Sequence, residues 1–439
     1  MKKVVKFGGS SLASARQFKK VKAIIDADKT RCYVVPSAPG KRDSKDTKVT
    51  DMLYQCYDAA STGQSYKRIL DQIKKRYTDI IDGLELNLNL DFEFSKIEEN
   101  FLNKVGRDYA ASRGEYLNGI IAANYLGFTF VDAAEVIRFD AEGNFLSEET
   151  SEEMREHLAS LKQAVIPGFY GAKPDGTIHT FSRGGSDITG SIVARAIQAD
   201  LYENWTDVSG FLVADPRIVD NPAPIETITY TELRELSYMG ASVLHEDAIF
   251  PVRKEGIPIN IRNTNRPEDP GTMIVENTSK RPHYTITGVA GKKGFCAVNI
   301  DKAMMNSEVG FGRKVLEVFE KNGISFEHMP SGIDTMSVLV HQDEFQEKEQ
   351  SVLAGIQRAV HPDIVTLESD LAVIAVVGRG MKAMRGTAAR IFAALAHAKI
   401  NVKMIDQGSS ELNIIIGVTD DDFEPAIRAI YDIFVKTEL

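Results

Sequence analysis

Cysteine is scarce in this sequence. Cys32, Cys56 and Cys296 are odd in number and far apart. That pattern excludes a disulfide framework and fits a reducing compartment. Histidine is thin as well: eight residues, scattered, with no His/Cys/carboxylate spacing of a structural zinc site. Any metal is therefore expected to arrive with a substrate. An excess of positive charge is missing too. The formal charge is −10 at pH 7, so neither nucleic acid nor an acidic membrane is an expected partner. No apolar run is long enough to span a bilayer, and MKKVVKFGG lacks the apolar core of a signal peptide. A cytoplasmic location is expected. What remains is an ordinary globular composition over 439 residues, which is too long for one compact core and predicts two or three domains.

The first 280 positions alternate between strand-like and helix-like stretches. CYVVPSAPG (32–40), GFTFVDAAEVI (127–137), AVIPGFYGA (164–172) and LYENWTDVSG (201–210) read as buried strands with small-residue exits. ITGSIVARAIQAD (188–200) repeats its apolar residues at helical spacing. Such alternation predicts an α/β domain with a largely parallel central sheet, whose ligands gather at the C-terminal ends of strands.

VVKFGGSSLAS (4–14) is the sharpest case. Val4, Val5 and Phe7 predict a strand with Lys6 near its end, and Gly8-Gly9-Ser10-Ser11 leads into a helix starting near 13–15. N–H groups in such a turn can face an anion, and a lysine beside them can touch a phosphate. A lysine that merely snorkels at a strand end fits equally well. FSRGGSDITG (181–190) adds Arg183, whose planar fork suits a carboxylate or phosphate. Its two glycines let the backbone approach a ligand. Ser186 and Asp187 stand at a helix start, where a plain cap is the alternative.

Near residue 280 the texture changes. NTSKRPHY (277–284) is polar, and a repeat follows: Val309-Gly310-x-Gly312 returns as Val377-Gly378-x-Gly380. Each copy continues with a helical run, a strand (ISFEHM, 324–329; INVKMI, 400–405), a second strand (TMSVLV, 335–340; ELNIII, 411–416) and a second helix. Each reads βαββα, the second copy being longer by about two helical turns in its first helix and loop. TITGVA (285–290) is expected to supply the missing strand of the second copy, interleaving the two. VVGRGMKA (376–383) has the form of a dinucleotide loop, but only about sixty residues follow it, too few for a nucleotide-binding half.

With KFGGSSLA, SAPGK (37–41), RGE (113–115), GFYG (168–171), FSRGGSD (181–187), WTDV (205–208), ADPR (214–217) and GASVLH (240–245) in this order, the chain resembles the aspartate kinases of the amino-acid kinase family over essentially its whole length. The repeat resembles two ACT regulatory modules. The resemblance implies an α/β amino-acid kinase fold over 1–280 and two ferredoxin-like βαββαβ ACT domains. These would span 295–370 and 371–439, the second completed by a strand from 284–292. It also implies transfer of the γ-phosphoryl group of ATP, with Mg²⁺ brought by the nucleotide, to the β-carboxylate of L-aspartate. The product would be 4-phospho-L-aspartate, at the first step of lysine, threonine and methionine biosynthesis.

By the same likeness, Lys6 contacts the transferring phosphoryl group, Gly8 and Gly9 offer it N–H groups, and Asp187 orients Lys6 or balances charge. Arg183 is suited to the aspartate α-carboxylate and Glu115 to its ammonium. Thr50, Phe169 and Ser186 line the amino-acid pocket. Thr206, Asp207, Asp215 and Arg217 match the nucleotide side. A solvated glutamate on a helix is the alternative for Glu115, and a surface turn for Asp215-Pro216-Arg217.

ACT-like modules imply an amino-acid effector, lysine first and threonine as the alternative, with assembly as a homodimer or tetramer. The matching positions are Gly310, Phe311, Gly312, Ser331, Ile333, Asp334 and Ser337, although SGID also suits a plain hairpin turn. The single acidic residue of NSEVGFG (306–312) tips the choice towards lysine. Three positions depart from the common pattern: Leu212 for a frequent tyrosine, Ser242 for a nucleotide-contacting lysine, and Glu246 for a proline. Two rivals follow. One is a relative acting on glutamate, acetylglutamate, carbamate or a nucleoside monophosphate. The other is an amino-acid sensor without turnover, for which Ser242 speaks and Lys6, Arg183 and Asp187 do not. LELNLNLDFEFSK (84–96) either packs against the first domain or covers its site.

Overall fold

The computed structural model describes every residue except Arg183, Ser242, Val243, His245, Glu246, Asp247, Arg281, Glu438 and Leu439, and leaves the side chain of Ala383 aside. Two compact units form. The first comprises Met1–Phe211, Pro224–Tyr230 and Val243–Thr278; the second comprises Leu212–Ala223, Thr231–Ser242 and Ser279–Leu439. The chain therefore enters the second unit twice, briefly, before settling there.

The first unit carries β1 (Lys3–Phe7), β2 (Arg31–Pro36), β3 (Thr129–Phe130), β4 (Ala164–Val165), β5 (Tyr170–Ala172), β6 (Ile178–Thr180), β7 (Leu201–Thr206), β8 (Thr227–Thr229), β9 (Ile259–Asn263) and β10 (Thr272–Val275). Eight of these form one sheet in the order β3-β4-β2-β1-β7-β9-β10-β8. Its pairings are parallel except β9 with β10. The central strand, β1, is buried at Val4, Val5 and Phe7, as a parallel sheet covered on both faces requires.

Two expected strands are shorter than their apolar runs. In GFTFVDAAEVI only Thr129–Phe130 is extended, because Asp132 caps the short helix Ala133–Val136 by accepting the Ala134 N–H at 3.0 Å. AVIPGFYGA is divided by Pro167, which has no N–H for a ladder; β4 lies before it, and β5 pairs with β6 as a separate hairpin after it. The segment 84–96 packs inward: Leu84, Leu90 and Phe94 belong to the same core as Phe7 and Trp205. Among the described residues, no helix is long and apolar enough to cross a membrane.

The second unit contains β11 (Gly288–Asp301), β12 (Thr335–His341), β13 (Ile364–Val377), β14 (Met404–Asp406) and β15 (Asn413–Thr419) in one antiparallel sheet, ordered β12-β11-β13-β15-β14. The two long strands are shared between the repeats. Gly288 to Lys292 pair with Val377 to Val373, beside β15. Phe295 to Asp301 pair with β12 on their other side. ISFEHM contributes only an isolated bridge, His328 with Leu339, since Ile324 is used to close the preceding helix through its N–H to Phe319 O at 3.0 Å. INVKMI is extended only over Met404–Asp406. The first helices of the repeats, Phe311–Lys321 and Thr387–His397, are both 11 residues long. The extra length of the second copy is instead a 3₁₀ turn, Arg379–Ala383, and its loop.

That turn is pinned by Glu232, which has no exposed surface. Its carboxylate accepts the Arg379 N–H (2.8 Å), Arg379 Nη1 (2.9 Å) and Thr287 Oγ1 (2.5 Å). Removing one partner of a buried pair strands the other charge. Glu232→Ala is expected to cost about 3–5 kcal/mol, seen as a lower unfolding temperature in calorimetry. An unchanged transition would mean that the pair contributes nothing.

Candidate active site

β1, β2 and β7 run parallel, so the loops after Phe7, Pro36 and Thr206 leave the sheet at one edge. Register sets the first contact there. Lys6 lies opposite Asn204 across the β1–β7 pairing. The Lys6 Nζ stands 2.6 Å from Asp187 Oδ1 and 3.4 Å from Asn204 Oδ1. Asn204 Nδ2 donates to the same Asp187 oxygen at 2.7 Å. Asp187 occupies the first turn of the helix Gly185–Ala196, and its carbonyl accepts the Tyr202 hydroxyl at 3.1 Å. Lys6 and Asn204 are both more than nine-tenths buried. The lysine is therefore held by a carboxylate and an amide rather than left to snorkel.

Beyond Lys6 the chain turns at once. Ser11 N–H bonds to Gly8 O at 3.0 Å, and Gly9–Leu12 is a 3₁₀ turn. The Gly8 N–H is already donated to Trp205 O at 2.9 Å, so it has nothing left for a ligand. Gly9, which opens the turn, has a first-turn N–H without an intrahelical acceptor. Its carbonyl accepts the Gly40 N–H at 2.8 Å. The two loops touch so closely that a Cβ on Gly40 would stand 2.4 Å from the Gly9 carbonyl carbon; only glycine fits. Arg76 secures this loop from the helix Lys67–Gly83, binding Gly40 O, Thr47 O (3.0 Å) and Asp46 (2.8 Å).

Glu115 lies inside the helix Arg107–Leu126, 5% exposed. It accepts the Ala38 N–H, yet burial pushes its carboxyl up to about 8. Oε2 has no hydrogen-bond partner among the described residues. A buried, half-satisfied carboxyl is the opposite of a solvated glutamate. Thr50 stands beside the preceding Gly114. Phe169 takes a positive φ of 83°, held by its N–H to Thr189 Oγ1 (3.0 Å) and by Phe181 N–H to its carbonyl (2.9 Å). The ring then packs on Gly185, and Ser186 packs on Gly168. Phe169, Ser186 and Asp187 thus share one neighbourhood. Arg183 lies outside the described residues, as do Ser242 and Glu246.

Thr206 ends β7 at the same edge, its hydroxyl 3.2 Å from Asp207 Oδ1. Asp215 and Arg217 belong to the second unit. There they close on each other: Arg217 N–H donates to Asp215 Oδ1 at 2.8 Å, and the guanidinium holds the same carboxylate, lowering its pKa. Locally this is the surface turn.

Within the second unit, the loops around 302–312 and 330–337 are joined. Asp334 accepts Met304 N–H at Oδ1 (2.9 Å) and Lys302 N–H at its carbonyl (2.8 Å). Gly332 N–H bonds to Thr335 O (2.7 Å), and Ser331 bridges to Met336, forming the hairpin turn. Ser337 Oγ donates to Asn299 (2.6 Å). Gly310, with a positive φ, precedes the helix begun by buried Phe311, while Ile333 is exposed and Gly312 lies near Met336. Glu308, the acid of NSEVGFG, is taken by Lys302 and Lys314, which hold its carboxyl down at about 2. Its charge is not free to select a lysine ligand.

Asn204 was not singled out by sequence reasoning. A polar residue inside the apolar run of LYENWT was its only signal, and Glu203 shares it for another purpose: binding Arg31 (2.8 Å) and Lys3 (3.2 Å). Among the described residues, no three His, Cys, Asp or Glu side chains converge as a metal cage. The contacts of the Asp187 carboxylate with Asn204 and Lys6 are both made by Oδ1.

Comparison with known proteins adds an independent line. The model of the amino acid kinase family matches residues 1–263, and that of an ACT domain matches 374–434. Aspartokinase 3 of Bacillus subtilis is 41% identical over 98% of either chain. The crystal structure of the Clostridium acetobutylicum aspartate kinase is 52% identical, covers 99% of this chain and all of its own, and superposes with a TM-score of 0.91. Escherichia coli aspartokinase III, crystallised with aspartate and ADP, is 22% identical over 99% of each chain, with a TM-score of 0.74, and shares the fold.

Proposed function

The chain belongs to the amino acid kinase family, as an aspartate kinase with a C-terminal ACT region, and from that premise we propose that it transfers the γ-phosphoryl group of ATP to the β-carboxylate of L-aspartate. One observation carries this reading: the Lys6–Asp187 pair at 2.6 Å, beside the Gly9–Gly40 contact at the C-terminal edge of the sheet. Phosphoryl transfer needs positioning and charge neutralisation more than covalent help. The Lys6 ammonium faces the transferring group, Asp187 keeps it in place, and the Gly9 N–H supplements it. No general base is required, because a β-carboxylate is already ionised near pH 7. Glu115 takes the substrate ammonium, Arg183 its α-carboxylate, and Thr50, Phe169 and Ser186 the remaining surface. Mg²⁺ would come with the nucleotide and supply charge neutralisation at the phosphates, and the Asp187 carboxylate is the group of this chain that would face it. Thr206 and Asp207 serve the nucleotide in the first unit. Asp215 and Arg217 keep that assignment by likeness alone.

By likeness to Escherichia coli aspartokinase III, which was crystallised with lysine and aspartate, the ACT region binds an amino acid, lysine before threonine, next to Asp334, and carries assembly as a homodimer or tetramer. The product, 4-phospho-L-aspartate, enters lysine, threonine and methionine biosynthesis in the cytoplasm. Hydroxylamine trapping of acyl phosphate tests this. With Mg-ATP, aspartate should give product while glutamate and acetylglutamate do not, and lysine should suppress the signal. Suppression by threonine alone would reassign the effector. No trapped product with any acid would refute the kinase reading.

A further inference from the structure

We infer that Asn204 is a positioning residue for this phosphoryl transfer: its side-chain amide locks Lys6 and Asp187 into one geometry. The inference rests on the reading that Lys6 and Asp187 act on the phosphoryl group.

Asn204 sits in the middle of an apolar sheet. Its neighbours along β7 and across to β1 include Tyr202, Trp205, Val5 and Phe7, all buried. A polar amide there is unfavourable unless both of its ends are bonded, and both are. Nδ2 donates to Asp187 Oδ1, and Oδ1 faces Lys6 Nζ. With the 2.6 Å Lys6–Asp187 contact the three side chains close a triangle.

The triangle has a direction. Turning the amide over would set its N–H₂ against the Lys6 ammonium and its oxygen against the Asp187 carboxylate. Both new contacts are repulsive, so a single orientation survives. A lysine has four rotatable bonds and a carboxylate a soft terminal torsion. The ion pair alone would leave both free to slide while keeping contact. The amide removes that freedom, because it fixes the Asp187 oxygen that Lys6 must share. The parallel register, which sets Lys6 directly opposite Asn204, makes the arrangement a property of the sheet rather than of a loop.

Two substitutions test this in the acyl-phosphate assay. Asn204→Leu keeps the branched four-atom skeleton, adds a little bulk, and removes both bonds. It should lower kcat by about 30–100-fold, the scale of a misplacement near 1 Å, with KM for aspartate and ATP within about threefold. Asn204→Asp is close to isosteric and gives a signature that simple packing would not. As a neutral acid, the new carboxyl donates to Asp187 and accepts from Lys6, as the amide does. Once ionised, it sets a second negative charge against Asp187 and draws Lys6 from the phosphoryl group. The ratio of its kcat to wild type should therefore be near one at low pH and fall as pH rises, approaching tenfold per unit. If Asn204→Leu does not fold, this ratio decides alone. A wild-type kcat for Asn204→Leu, or a ratio flat with pH for Asn204→Asp, overturns the inference. Wild-type protein that traps no acyl phosphate overturns the function itself, and the inference with it.

Discussion

Lys6→Ala is expected to lower kcat for acyl-phosphate formation roughly 10³-fold, with KM for aspartate nearly unchanged. Among the described residues, the charge that develops on the transferring group has, besides the Gly9 N–H, few other donors at this edge. The Gly8 N–H is bonded to Trp205 O, Asn204 Nδ2 is bonded to Asp187, and Asp187 is itself negative. Removing Lys6 thus takes away the cation that the sheet places there. Lys6→Arg should not restore the rate. A guanidinium is a planar fork with a larger head, and the space is bounded by Asn204, Asp187 and the Gly8 backbone. Circular dichroism should show both variants folded. A Lys6→Ala protein with wild-type turnover would remove Lys6 from the reaction.

Glu115→Gln should raise KM for aspartate by about 100-fold, the scale of breaking a buried charge pair, with a smaller change in kcat. The effect has a pH signature whose sign is fixed. Burial raises the carboxyl from its ordinary 4.5 to about 8, so without substrate it is neutral at pH 7. An ammonium ligand needs it ionised. Aspartate binding should therefore strengthen as pH rises through about 8, and kcat/KM should climb with it. Stability moves the other way. Between 4.5 and 8 the folded, substrate-free chain holds a proton that the unfolded chain has lost, so its stability falls as pH rises across that window. The total is on the order of 5 kcal/mol. Glu115→Gln removes this slope, so its melting temperature should overtake wild type as pH rises. A KM that stays at the wild-type value, or a kcat/KM flat between pH 6.5 and 9, would count against Glu115 as the ammonium site.

The fold class was legible because its signals are local. Apolar runs ending in glycine and serine, alternating with helical spacing, specify an α/β sheet whatever the distant contacts are. Strand length was less legible. GFTFVDAAEVI is apolar enough for a strand, but Asp132 diverts it into a helical turn. ISFEHM alternates well, yet it makes one bridge, because pairing depends on a partner with free ladder positions rather than on the run itself. For the site, the strand-then-glycine pattern draws attention to Lys6, and the role of Asp187 comes from the resemblance to the aspartate kinases, since a Ser-Asp pair at a helix start reads equally as a cap. Neither points to Asn204. Within LYENWT, Glu203 and Asn204 look alike; only the sheet register shows one turned to Arg31 and the other to Lys6. Glu308 marks a second limit. Its negative charge reads as available in the sequence, and Lys302 and Lys314 consume it in the structure.

The discontinuous second unit bears on the order of events during synthesis. Leu212–Ala223 and Thr231–Ser242 leave the ribosome early, but the residues that hold them come much later. Val213 O waits for the Val289 N–H at 2.7 Å, Glu232 waits for Arg379, and the Ala223 N–H waits for the Tyr431 hydroxyl at 2.9 Å. Contacts this distant in sequence form slowly, because the intervening loop must close first. A nascent chain of about 280 residues would thus have its parallel sheet in place while two of its own segments still hung open. The helix Phe423–Tyr431 is then a latch on residues made some 200 positions earlier, so the region encoded before it is sealed only after that helix has been made.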